Sequence, residues 1–170
     1  GDRQHFAIGG TINRADADGK HRQWRARRGL GSRSGVAAIR QHNHTGEPIP
    51  DPLIWLAYVA AVTEHLLLGT GILILPQRNP AIVAKEVASL DRLSGGRVEL
   101  GIGVGWLEEE FDALGVPFAG RGARTDAYVA AMRALWTGEE VDLDDGYHRW
   151  QRAVSLPRPA AAHVPIVVGG

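Results

Sequence analysis

From Asp51 onward the chain alternates short apolar runs with longer segments of helical periodicity, and this alternation constrains the fold most. Leu66 to Leu75 is apolar except at Gly69-Thr70-Gly71. A run of that length, rich in Ile and Leu, predicts a strand covered on both faces, as in a parallel sheet. Pro76 ends it. Before it, Asp51-Pro52 opens a helix: a carboxylate suits the N-cap, and proline suits a position whose N–H would be unpaired. That helix is expected to run to about His65. With Leu53, Ile54, Leu56, Val59 and Val62 it is apolar on nearly every face, which predicts tight packing in a larger body. Asn79-Pro80 repeats the start signal. Ile82, Val83, Val87, Leu90 and Leu93 then follow helical spacing until Gly95-Gly96 stops the helix.

The pattern continues with a strand over Arg97 to Gly105 and a short helix over Glu108 to Leu114. A longer helix spans about Arg121 to Thr137, with a stripe of Tyr128, Val129, Met132, Leu135 and Trp136. Val141 to Leu156, with its Asp145-Gly146 turn, reads as a hairpin. Val164 to Val168 is a last strand. Upstream of Asp51 only Phe6 to Ile12 and Val36 to Ile39 read as strands. Strands alternating with helices give an α/β fold with a parallel sheet; doubly wound and barrel forms both satisfy that pattern. The final strand has no covering helix after it, so a truncated domain is expected.

Composition excludes several classes. There is no cysteine, which removes disulfide and thiolate chemistry and fits a reducing cytoplasm. No run reaches the roughly 18 apolar residues of a membrane span, and the N-terminus leads into no apolar signal region. Net charge is zero, but residues 1–50 hold nine Lys and Arg against four Asp and Glu. No stacking platform beyond Trp24 and no nucleic-acid motif accompanies that basic segment, so nucleic acid is not expected as a partner.

In a parallel α/β fold, ligands gather at the C-terminal ends of the strands. Three glycine clusters stand there: Gly69-Thr70-Gly71-Ile72, Gly101-Ile102-Gly103-Val104-Gly105-Trp106, and Gly169-Gly170. Alternating glycines at 101, 103 and 105 leave one strand face bare, where a flat ring could lie. The spacing does not fit a dinucleotide fingerprint, and close packing against a neighbouring element accounts for the same glycines. Exposed amides at Gly169-Gly170 could cradle a phosphate. Glu108-Glu109-Glu110 reads as a solvated helix start, favourable beside the helix dipole.

Taken together, "LLLGTGILILPQRNPAIVAKEVASLDRLSGGRVELGIGVGW", "FDALGV", "RGART…MRALW" and "VPIVVGG" resemble the luciferase-like monooxygenase superfamily, in particular its deazaflavin-dependent (coenzyme F-420) branch. The likeness runs from about Asp51 to Gly170. It implies a partial TIM (β/α)8 barrel, the N-terminal half only, with strands up to about the fifth. It implies a hydride-transferring oxidoreductase that uses coenzyme F-420, or alternatively an FMN monooxygenase, acting on a small organic substrate. A non-catalytic remnant is the third reading. The resemblance places a non-prolyl cis peptide at Gly71–Ile72, behind the cofactor ring. It puts Leu73 and Ile74 near the ring, Val104 on the cofactor wall, and Gly169 and Gly170 at the cofactor tail. FMN binders of the luciferase type tend to carry Arg where Val104 stands, so Val favours the deazaflavin.

The family also places a histidine just after its second strand. With that strand at Val36 to Ile39, His42 is the candidate proton carrier and His44 the second. His42 and His44 could instead grip a metal, but no further His or Asp ligands follow the third and fourth strands, so no metal is expected. The first 40 residues match the family poorly. Residues 13–35 are rich in Arg and Gly and offer no amphipathic face, so they are expected to be irregular or the product of a shifted reading frame. Residues 1–170 are otherwise read as one domain. As half a barrel it is expected to self-associate or to bind a complementing C-terminal half.

Overall fold

A computed structural model describes residues 5–8 and 49–169. The elements are β1 (His5–Ile8), α1 (Pro52–Ala61), β2 (Leu67–Thr70), β3 (Leu73–Ile74), α2 (Pro80–Ser94), β4 (Val98–Gly103), α3 (Glu108–Leu114), α4 (Arg121–Trp136), β5 (Val141–Asp144), β6 (Arg149–Ala153) and β7 (Ile166–Val168). β1, β2, β3, β4 and β7 form one parallel sheet, with β1 beside β2, and with β2, β3 and β7 all paired to β4. β5 and β6 form the expected antiparallel hairpin.

Local signals account for the helix starts. Asp51 Oδ1 accepts from the amides of Leu53 and Ile54, at 2.9 and 3.2 Å. Asn79 Oδ1 accepts from Ala81 and Ile82, at 2.9 and 3.4 Å. Gly95 ends α2 in the left-handed region at φ 74°, which a side chain would resist. The core lies between sheet and helices, centred on Leu56, Leu68, Val83, Val87, Leu100 and Met132. Trp136, buried beneath α2, donates its indole N–H to the Ala84 carbonyl at 3.0 Å.

Several expectations need correction. α1 stops at Ala61 rather than near His65, and Arg97 donates to the carbonyls of Ala60, Thr63 and Leu66 around that end. Nor is α1 packed on every face: Leu53, Leu56 and Val59 are buried, while Ile54, Tyr58 and Val62 are exposed. In α2, Ile82 and Leu93 fall off the core stripe and are exposed; Ala84 and Ala88 join Val83, Val87 and Leu90 instead. Val36 to Ile39, read as a strand, lies outside the described residues, and β1 pairs directly with β2.

The long apolar run is two strands, β2 and β3, that meet the same partner. Gly69 is opposite Glu99 and Leu73 is opposite Ile102. Four steps along one strand therefore match three along the other, a bulge of one residue at Thr70-Gly71-Ile72. The Gly71–Ile72 peptide within it is cis, as the resemblance implies.

Candidate functional site

The bulge decides what the C-terminal ends of the strands present. The Thr70 hydroxyl donates to the Gly101 carbonyl at 2.6 Å, drawing the bulge onto β4. A Cβ at Gly101 would stand 2.0 Å from the Thr70 carbonyl oxygen, so glycine is needed for close backbone approach. Two residues on, a Cβ at Gly103 would stand 1.9 Å from Ile72 Cδ1, and one at Gly169 would stand 2.9 Å from Ile72 Cγ2. Ile72 therefore lies across the ends of β4 and β7 in the space two absent side chains leave. The Gly169 amide closes this layer by donating to the Ile102 carbonyl at 2.9 Å. Gly105 turns the chain at φ 76°, against Ile74 and Phe111.

The bare glycine face expected to receive a flat ring is thus already filled, each glycine by a different neighbour. What faces outward is Ile72 itself, 38% exposed, and Val104, 40% exposed. Leu73 and Ile74 are both buried and present no side chain outward, whereas Ile72, Val104 and Trp106 are exposed. Gly169 adjoins Ile72. Gly170, His42 and His44 lie outside the described residues.

Sequence reasoning missed four polar groups around these strand ends. Glu110 is not part of a solvated helix start. It is 8% exposed and accepts from Gln77 Nε2 at 3.3 Å, joining the segment after β3 to the segment after β4, while Glu108 and Glu109 are exposed. Its Oε1 is buried without a partner. The neighbouring Phe111, fully buried, is the signal that helix phase turns this end of α3 inward. Arg78, in the loop before α2, donates to Asp51 Oδ2 at 2.5 Å. Burial pushes the Asp51 carboxyl up, but the Arg78 hydrogen bond and charge and the amides of Ile54 and Leu53 hold it below the usual range. Arg121 and Arg124 open α4 at the same end. Among the described residues no cluster of three or more His, Cys, Asp or Glu could hold a metal, and no helix is long and apolar enough to cross a membrane.

A parallel sheet flanked by helices, with a bulge and exposed apolar residues at its C-terminal strand ends, defines an α/β protein. Its family follows from comparison. The luciferase-like monooxygenase model matches residues 32–170, and the chain belongs to that family. It is 40% identical to the F420-dependent glucose-6-phosphate dehydrogenase of Beutenbergia cavernae over 134 residues, 76% of this chain and 39% of that protein. Among solved structures it resembles monooxygenase RslO1 from Streptomyces bottropensis at 36% identity and TM-score 0.67, covering 70% of this chain and 36% of that one. It also resembles an F420-dependent secondary alcohol dehydrogenase bound to an F420-acetone adduct, at 26% identity and TM-score 0.66, covering 75% and 39%. The chain spans about two fifths of the length of the curated relatives it matches.

Proposed function

We propose that this chain supplies the N-terminal half of a (β/α)8 barrel oxidoreductase that binds coenzyme F-420 and transfers a hydride between it and a small organic substrate. The observation that carries this reading is the position of Ile72, laid over Gly103 and Gly169 with one face open. A flat apolar ledge beside Val104 fits a planar ring, and the fit depends on side chains being absent at 103 and 169. F420-dependent relatives support the same cofactor.

When bound, the deazaflavin supplies the hydride chemistry. The chain's own residues position it: Ile72 supports the ring, Val104 keeps the adjoining wall apolar, and Gly169, with Gly170, lets the backbone approach the tail. His42, with His44 second, is the group we assign to give or take a proton. FMN is the second reading, since the ledge suits either ring; the uncharged Val104 favours the deazaflavin. A cytoplasmic location accords with the cysteine-free sequence. Val167 and Val168, exposed on β7, are the surface we assign to self-association or to a complementing C-terminal half.

Titration of the purified chain with coenzyme F-420 and with FMN, followed by fluorescence, tests the reading. Binding of the deazaflavin is expected, weakened about tenfold or more in Ile72→Glu at unchanged circular dichroism, since a charge would be desolvated beneath the ring. A wild-type chain that binds neither ring overturns the assignment.

A further inference from the structure

Among the described residues the tryptophans divide by exposure. Trp136 is buried, and Trp55 and Trp150 pack against the core, whereas Trp106 is 62% exposed. Single exposed apolar side chains are ordinary on a protein surface; a contiguous set on a fixed backbone is not. Trp106 belongs to such a set. Ile72 lies over Gly103, and the exposed Val104 follows Gly103. Trp106 stands two residues beyond Val104, at most about 7 Å away along the chain.

The backbone under Trp106 is held from several directions. Gly105 turns at φ 76°, and a Cβ there would stand 2.8 Å from Ile74 Cγ2 and 2.9 Å from Phe111 Cε2. Its carbonyl accepts from Arg121 Nε at 2.9 Å. The Arg121 guanidinium lies 3.8 Å from the centre of the Phe118 ring, and Phe118 meets Phe111 edge-on at 5.3 Å. The contacts run in a closed circuit, from Gly105 through Phe111, Phe118 and Arg121 back to Gly105. Glu110 adds a tie from α3 to the segment after β3, through Gln77. An exposed indole on a backbone held in this way loses little freedom when a ligand covers it, so more of the buried area appears as affinity.

The surroundings select the charge of that ligand. Glu108 and Glu109 follow Trp106 closely and are exposed, and their carboxylates disfavour an anion. Arg121 spends its Nε on the Gly105 carbonyl and its face on Phe118, so it serves the turn that carries the indole.

We infer that Trp106 is a specificity-determining residue, whose indole stacks on an uncharged, flat, largely apolar substrate seated beside Val104. An aromatic or conjugated carbonyl compound, or the matching alcohol, fits that surface; a sugar phosphate does not. In this the chain departs from the F420-dependent glucose-6-phosphate dehydrogenase it resembles. The role in substrate choice rests on the proposed oxidoreductase reading; the apolar surface itself does not.

Ligand-observed NMR titration of the full chain with acetophenone and with cyclohexyl methyl ketone tests the inference, since the two share a carbon skeleton and differ in whether the ring is flat. Acetophenone is expected to bind about tenfold tighter than cyclohexyl methyl ketone. Trp106→Ala is expected to weaken acetophenone about tenfold, and Trp106→Phe to keep its affinity within about threefold. Trp106→Leu, which keeps apolar bulk without a flat face, is expected to bring the two ketones to equal affinity. No saturable binding of glucose 6-phosphate is expected. The variants are expected to keep the wild-type circular dichroism spectrum, because the side chain removed is mostly exposed. Equal acetophenone affinity in wild type and Trp106→Ala overturns the inference, whether or not coenzyme F-420 binds. So does glucose 6-phosphate binding tighter than acetophenone. A sedimentation shift from assembled to monomeric chain in Trp106→Ala, at unchanged ketone affinity, also overturns it and assigns the indole to a contact between copies. Acetophenone binding that depends on Trp106, in a chain that binds no coenzyme F-420, supports the apolar site and overturns the cofactor reading.

Discussion

Arg97 and Arg124 occupy opposite ends of the region around β4, and their donors are met to different degrees. At the N-terminal end, every guanidinium donor of Arg97 has an acceptor. Nε bonds the Ser94 carbonyl, Nη1 bonds the Thr63 hydroxyl and the Leu66 carbonyl, and Nη2 bonds the carbonyls of Ala60 and Thr63. Asp91 completes that end, accepting from the amides of Val98 and Ala160 and so tying α2 to β4 and to the approach to β7. At the C-terminal end, among the described residues, Arg124 Nε and Glu110 Oε1 are buried without a partner, and Ile72 and Val104 face outward. One end of the strand is closed by satisfied hydrogen bonds; the other, among the described residues, carries unpartnered polar atoms and exposed apolar side chains. In parallel α/β folds that division follows from topology, since the loops after the strands are where ligands are met.

The sharpest way to break the comparison is to remove Arg97. Arg97→Met leaves the carbonyls of Ala60, Thr63 and Leu66 without their donor, and the unfolding free energy is expected to fall by about 3 kcal/mol in urea denaturation. Ring binding per folded molecule should not change. A loss below about 1 kcal/mol would show that the closed end is not where stability resides.

Glycine substitutions sharpen the contrast within β4. Gly101→Ala sets a methyl group against the Thr70 backbone, which cannot yield without moving the bulge, and is expected to cost about 2 kcal/mol. Gly103→Ala meets only the end of the Ile72 side chain, which can rotate away. It should cost less than about 1 kcal/mol while weakening ring binding. Equal stability losses in the two variants, measured by thermal unfolding, would mean that Ile72 is held as firmly as the backbone.

The smallest effect expected is the pH dependence of the Asp51–Arg78 pair. Asp51 is held below its ordinary value of 3.8, so its contribution is complete above that pH and disappears as pH falls through the lower folded value. Asp51→Asn keeps an oxygen for the helix cap and removes the charge. Wild type should exceed it in stability by about 1 kcal/mol near neutrality, and the gap should close below pH 3.8. A gap that stays constant through that range would assign the difference to something other than ionisation.

What the sequence by itself determined was set by short-range rules. Asp51-Pro52 and Asn79-Pro80 start helices because a cap acts on amides two and three residues away, and Gly95 stops one because it alone relaxes at positive φ. The alternation of strands and helices and the hairpin were visible in the same way, as was the family, through contiguous motifs; the break of Leu66–Leu75 into two strands was not. Tertiary structure decided which residues the site presents. Ile72 covers Gly103 and Gly169, Glu110 meets Gln77 across 33 positions, and Arg97 reaches carbonyls more than 30 residues away. Burial and partner choice depend on groups distant in sequence that only the folded sheet brings within hydrogen-bond reach. Hence Arg97 serves as a clamp at one end of β4 only because the fold gathers its partners there.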